Sequence, residues 1–297
     1  MLGIVILNFK SWEETTRCVE SIYQTAKVEF KIVIVDNHSP NDAYERLQEM
    51  YRDRKEIICI QNEYNGGFSK GNNIGVKICE EEQIDYVIVS NSDIVFLEGC
   101  IDKLYMTAKE NANAVQIAPK ILDKNLRFMS PPWSGRQSLL QYLHIKSPNE
   151  FIMREEELTG VQKVYMVPGG CFLVNMKLFA KIGYFDENTF LYNEEGMLSV
   201  KAKEAGYDVL FNGNCTVIHN HGASTEKGTL FADAEILKSG MYYWKKYEKV
   251  SNIKIVFIYS FMVLRMLAKV ICRRVKSHGF EKYMKECFKE LLKVLKG

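Results

Sequence analysis

The stretch YVIVSNSDIVFLEG, Tyr86 to Gly99, reads as a buried strand that runs into Asn91, Ser92 and Asp93 and then turns apolar again at Ile94, Val95, Phe96 and Leu97. An uninterrupted, β-branched run of this kind suits a strand covered on both faces, as in a parallel sheet. A carboxylate and two further polar groups at its end do not belong to such a core and ask for a purpose.

The same pattern recurs on either side. LGIVILN (2–8), FKIVIVDN (30–37), EIICIQN (56–62) and NAVQIAPKI (113–121) are short apolar runs, and helical patterns fall between them at about 12–25, 41–53, 72–83 and 98–110. The expected fold class is α/β, a Rossmann-like, mixed but mostly parallel sheet flanked by helices. Residues 122–163 lose the rhythm, with SPPWSG and IKSPNE marking turns, and read as an excursion over the carboxyl edge of the sheet. Order returns with VYMVPGGCFLVN (164–175), a strand pair or one bulged strand around Gly169 and Gly170. A helix then starts near Asn193 and stops at Gly206, and VLFNGNCTVIHNHGAST gives two short strands with His219 where the second ends.

Composition sets the outer bounds. With 47% apolar residues and six prolines in 297, the chain can bury a substantial core, and disorder is not its default. The eight cysteines never fall closer than fifteen apart, which excludes a zinc-ligand spacing and suits reduced thiols in a cytoplasmic protein. MLGIVILNFKSWEE has neither a basic leader region nor a small-residue cleavage site, so no secretory signal is expected. Charge is uneven: Lys245 to Gly297 holds 14 basic side chains against 4 glutamates, a local +10, while the remainder carries 25 against 33, or −8. That asymmetry signals a partner.

In an open α/β sheet, ligands bind beyond the carboxyl ends of the strands. Asn8, Asp36, Asn37, Asn62, Asn91 and Asp93 all stand at such ends. Asp36 with the following Asn-His-Ser-Pro is equally good turn chemistry. A dinucleotide site would need G-x-G-x-x-G after the first strand. NFKSWEETTRC stands there instead, without a glycine, and the glycines come after the third strand in NEYNGGFSKGNNIG. Hydride transfer with NAD is therefore set aside.

VILNFKSWEETTRCVESI, IVIVDNHSPND, NEYNGGFSKGNNIG, VSNSDIVF, VPGGCFLVN, FLYNEEGMLSVKAKEAGY and IHNHGAST occur in an order and rough spacing that resembles the family 2 glycosyltransferases. The nearest likeness is to the rhamnosyltransferase-like branch that builds bacterial capsule and O-antigen polysaccharides, and it covers about residues 1–245. The resemblance implies a GT-A fold and an inverting, metal-assisted transfer from a nucleotide-diphospho-sugar, dTDP-rhamnose or a UDP-hexose. It implies a GT-A domain over 1–247, with a nucleotide-binding half to about 121 and an acceptor half from about 122, followed by a basic amphipathic helical tail at 248–297.

Carried residue by residue, the resemblance places Asp36 at the nucleotide's base or ribose. Asn65, Gly67, Phe68, Gly71 and Asn72 match a loop around nucleotide and donor sugar, and Asn8 closes the first strand beside them. Asn91-Ser92-Asp93 falls on the metal signature, with Asn where a first Asp is usual. Mn2+ or Mg2+ held there by Asp93 would neutralise the diphosphate leaving group. His219 matches a late histidine on the metal side, and His221 shares its face. Glu195 falls at the position of the general base beside Glu194, although two acids in the first turn of a helix also simply complement its dipole. Met197 and Lys201 replace the usual Asp and Arg. Gly169 and Gly170 would let backbone approach the sugar.

Two other functions are open at this point. A sugar nucleotidyltransferase would need a glycine- and base-rich loop after the first strand, which is absent; a catalytically silent nucleotide-sugar scaffold would fit the changes at Asn91, Glu195 and Met197. In the tail, the uninterrupted apolar part Ile255 to Leu264 covers only ten residues, too few to cross a bilayer. With Arg273, Arg274 and Lys276 and EKYMKECFKELLKVLK it reads as a peripheral anchor on an anionic membrane, on the cytoplasmic face where a saccharide or lipid-linked saccharide acceptor is met, or as a solvated basic face on a closing helix pair. No groove-reading motif is present, so nucleic acid is not an expected partner.

Overall fold

The computed structural model describes residues 1–147, 151–220, 230–272 and 279–296. His221, the end of the IHNHGAST motif, the end of IKSPNE and the tail residues Arg273, Arg274 and Lys276 lie outside the described residues.

The chain runs β1 (Leu2–Asn8), α1 (Trp12–Thr25), β2 (Phe30–Asp36), α2 (Ala43–Tyr51), β3 (Ile57–Gln61), α3 (Gly67–Glu81), β4 (Tyr86–Asn91), β5 (Ile94–Phe96), α4 (Cys100–Glu110) and β6 (Ala114–Leu122). There follow β7 (Phe128–Met129), α5 (Leu139–Tyr142), β8 (Val161–Val164), β9 (Cys171–Asn175), α6 (Met176–Lys181), α7 (Glu194–Glu204), β10 (Asp208–His219), α8 (Phe231–Lys246), α9 (Asn252–Ile271) and α10 (Phe280–Lys296). One sheet has the order β3-β2-β1-β4-β9-β6-β10-β5, with β7 on β6 and β8 on β10. β3, β2, β1 and β4 are mutually parallel, as their apolar runs require, and β9 enters antiparallel between β4 and β6.

Three differences from the sequence reading have physical causes. Helix α3 begins at Gly67 rather than near 72, because its glycines are packing positions: a methyl group at Gly71 would overlap Leu7, and one at Gly75 would sit 2.5 Å from Val5. β10 is one strand rather than two, since it keeps pairing with β6 across a shift in register between Asn212 and Thr216. Ile94–Phe96 is a strand of its own, antiparallel to the end of β10.

Two apolar clusters cover the faces of the sheet, one under α1, α2 and α4 and one under α3, α6 and α7. A third lies off the sheet, where Leu237 and Met241 of α8 meet Ile258 and Met262 of α9 and Cys287 and Leu291 of α10, with Met197 of α7 beneath. The C-terminal helices thus form a bundle with α8. No helix among the described residues is long and apolar enough to cross a membrane.

Candidate active site

The register of two strands assembles the centre of the site. Ile94 of β5 pairs with His219 of β10, and the Asn220 N–H donates to the Asp93 carbonyl at 2.9 Å. The turn at Asn91-Ser92-Asp93 therefore lies beside the end of β10. His219 Nε2 comes within 3.0 Å of Asp93 Oδ1, and both side chains are buried. This juxtaposition explains the polar interruption in Tyr86–Gly99.

Gly169 and Gly170 extend the centre away from that pair. The Asn91 N–H donates to the Gly170 carbonyl at 2.9 Å, which fixes the di-glycine to the end of β4. A methyl group added at Gly170 would meet the His219 ring at 3.3 Å, and one at Gly169 would overlap the Glu195 carboxylate. A side chain at Gly169 would displace the Glu195 carboxylate, and one at Gly170 would crowd the His219 ring. The di-glycine thus lies against the His219 ring at Gly170 and against the Glu195 carboxylate at Gly169.

Glu194 and Glu195 open α7. Burial raises the Glu195 carboxyl above the ordinary carboxylate range, against hydrogen bonds from its own and the Gly169 backbone that favour the charge. Burial and then the neighbouring Glu195 charge push Glu194 well up, and its Oε1 has no partner among the described residues. A carboxyl raised this way is a better proton acceptor once ionised. The loop before α7 is tied down by Asp186, which accepts from Tyr242 (2.9 Å), Lys246 (2.9 Å) and Tyr247 (2.6 Å).

A cavity of about 580 Å3 opens at the carboxyl edge of the sheet. Of the residues the sequence singles out, Asn65, Gly67, Phe68, Asn91, Ser92, Asp93 and His219 line it. The others stand elsewhere. Asp36 is buried and saturated, accepting from Asn8 Nδ2 (2.6 Å), the Ser39 hydroxyl (2.6 Å), the Ser39 N–H (2.8 Å) and Gln61 (3.2 Å). Asp36 and Asn8 thus brace the loops from behind the lining, and Asn37 reaches the cavity, donating to Asn65 Oδ1 at 2.8 Å and the Gly67 carbonyl at 3.1 Å. Gly71 and Asn72 are buried in the packing of α3, with the Asn72 amide donating to the Phe68 carbonyl at 3.0 Å. Glu194, Glu195, Gly169 and Gly170 lie outside the lining.

Sequence reasoning missed Phe9, Lys10, Phe190, Tyr192, Phe231 and Tyr283 of the lining. Lys10 had a local signal in the glycine-free turn after β1, where it takes a φ of 66° and its N–H donates to the Ser39 hydroxyl at 2.7 Å. Phe231 and Tyr283 come from α8 and α10 and had none.

Among the described residues no three of His, Cys, Asp and Glu gather as a metal cage. An oxygen-seeking ion such as Mg2+ takes one or two carboxylates from protein and the rest from phosphate and water. One carboxylate with one imidazole beside an open cavity fits that demand.

A doubly covered sheet with a cavity at its carboxyl edge and a carboxylate–histidine pair at the strand ends is consistent with the GT-A fold of the solved structures it superposes on. Residues 3–183 match Glycosyl transferase family 2, and the chain belongs to that family. It is 25% identical over 277 residues, 90% of this chain and 84% of the other, to the low-salt glycan biosynthesis hexosyltransferase Agl10 of Haloferax volcanii. Over 149 residues, 48% of each chain, it is 28% identical to the N-acetylglucosaminyl-diphospho-decaprenol L-rhamnosyltransferase of Mycobacterium tuberculosis. Two solved structures share the fold. GalNAc-T7 with UDP, GalNAc and Mn2+ superposes at a TM-score of 0.62 and 15% identity over 97% of this chain and 54% of that one. S. aureus TarS 1-349 with UDP-GlcNAc does so at 0.55 and 14% over 99% and 81%.

Proposed function

We propose that this chain transfers a sugar, with inversion, from a nucleotide-diphospho-sugar to a hydroxyl of a lipid-linked saccharide during surface polysaccharide assembly. The observation that carries the reading is the line Asp93, His219, Gly170, Gly169, Glu195. The cavity holds the donor against the Asp93–His219 pair, with Asn37 and Asn65 toward the nucleoside and Lys10 toward the phosphates. Asp93 and His219 would hold Mn2+ or Mg2+, which when bound supplies charge neutralisation for the departing diphosphate. Glu195, packed against Gly169, takes the proton of the acceptor hydroxyl as it attacks the anomeric carbon. Gly169 leaves room for that carboxylate.

The rhamnosyltransferase likeness favours a dTDP-sugar, and the hexosyltransferase and UDP-bound neighbours favour a UDP-hexose. Either donor fits a transferase working at the inner face of the cell membrane, held there by the tail. A general base contributes roughly 10²- to 10⁴-fold to rate. Glu195→Gln is expected to lower transfer at least about 100-fold with donor affinity unchanged. Retention of a tenth of wild-type transfer would remove Glu195 from the role, and absence of turnover by the wild type with every donor and acceptor would support a silent scaffold.

A further inference from the structure

The cavity lining draws on two parts of the chain. The sheet edge supplies the polar groups Lys10, Asn37, Asn65 and Asp93, with Phe9 and Phe68 among them, while later elements add the rings of Phe190, Phe231 and Tyr283. The three rings form a chain. Phe190 and Phe231 meet edge to face at 6.3 Å, and Phe231 and Tyr283 lie tilted at 6.5 Å. Tyr283 stands in the first turn of α10, far along the sequence from the rest of the lining.

Its position is fixed by packing. One turn on, Cys287 is fully buried against α8, with its thiol toward the Ala234 carbonyl at 3.8 Å. Lys238 of α8 bridges Glu235 at 2.6 Å and Glu286 of α10 at 3.5 Å. Tyr283 is therefore carried on a docked helix.

On the glycosyl-transfer reading the occupant of this cavity, which Asp93 and His219 line, is the donor. The polar part suits the nucleoside and the charged diphosphate. Uncharged rings suit what remains of the donor, the C–H face of a pyranose. Resting on the glycosyl-transfer reading, we infer that the donor sugar lies against Phe231 and Tyr283, so that the C-terminal helix is part of the donor site.

The test is calorimetric titration of the full-length protein and its Tyr283→Ala and Tyr283→Phe variants, with Mn2+ present. The probes are UDP, dTDP, UDP-glucose, UDP-N-acetylglucosamine and dTDP-rhamnose. For the sugar nucleotide that the wild type prefers, Tyr283→Ala is expected to weaken binding about fivefold while the parent diphosphate stays within about twofold, and Tyr283→Phe to keep wild-type preference. This split separates sugar contact from a general loosening of α10, which would weaken both ligands alike. Equal weakening of both, or no change in either, overturns the inference while leaving the transferase reading standing. A wild type that binds none of the five probes overturns both.

Discussion

Gly169 shows how narrowly the site is drawn. Its missing side chain is the space in which the Glu195 carboxylate sits. In Gly169→Ala the obstacle is the far end of a flexible side chain, so the protein is expected to fold with nearly unchanged stability while the carboxylate is displaced. Transfer is expected to fall by about tenfold or more, a part of the general-base contribution, with donor affinity retained. Steady-state kinetics beside a melting curve check this, and wild-type turnover would mean that the carboxylate position is not used. Glu194 gives a pH signature. Its folded-state pKa is raised, so the native state holds its proton more tightly than the unfolded chain does, and stability falls as pH rises from about 4.3 through the raised value. Glu194→Gln is expected to stabilise the protein at neutral pH and to lose that advantage below about pH 4, as read from denaturant midpoints. Asp36 and Asn37 mark what the sequence could not decide at this scale. Neighbours at a strand end point to opposite faces; one becomes a buried brace and the other a cavity wall, and the Asp-Asn pair itself does not say which.

Among elements, the strands of the sheet were legible because burial on both faces leaves them uniformly apolar. The start of α3 was not, since glycines needed for close helix–strand packing look in sequence like a loop. β5 was hidden within an apolar continuation, although its pairing with β10 is what brings His219 to Asp93. The tail posed the opposite problem. Its apolar run admitted both a packed helix and a membrane-lying one, and α9 has a face for each. Ile255, Ile258, Met262 and Met266 are buried in the bundle, while Ile253 (82% exposed), Leu264 (64%) and Ile271 (70%), with Phe257, form a second apolar stripe toward solvent. Exposed lysines at 282, 285, 289, 293 and 296 of α10 accompany it. Such a face suits the interface of an anionic bilayer. Phe257→Lys with Leu264→Lys is expected to reduce sedimentation with phosphatidylserine-containing vesicles by about tenfold or more while leaving the fold intact, given roughly 1.5–3 kcal/mol per buried apolar side chain. Undiminished binding would assign that stripe to something other than lipid.

Across the whole molecule, the sheet edge, the loop before α7 and the C-terminal bundle converge on one cavity. Asp186 joins the loop to α8, and α8 carries α10. The order of motifs made the family and the sheet readable. The far wall was not, because Phe231 and Tyr283 reach the cavity only through helix packing that leaves no local pattern. The measurement that bears most directly on the account is thermal stabilisation of the protein by dTDP, UDP and GDP, each with and without Mn2+ or Mg2+, beside Asp93→Ala. A nucleotide at 100 times its dissociation constant stabilises by about 2.7 kcal/mol. The account expects metal-dependent stabilisation by dTDP or UDP that disappears in Asp93→Ala; no response to any nucleotide, or one that Asp93→Ala leaves intact, would contradict it.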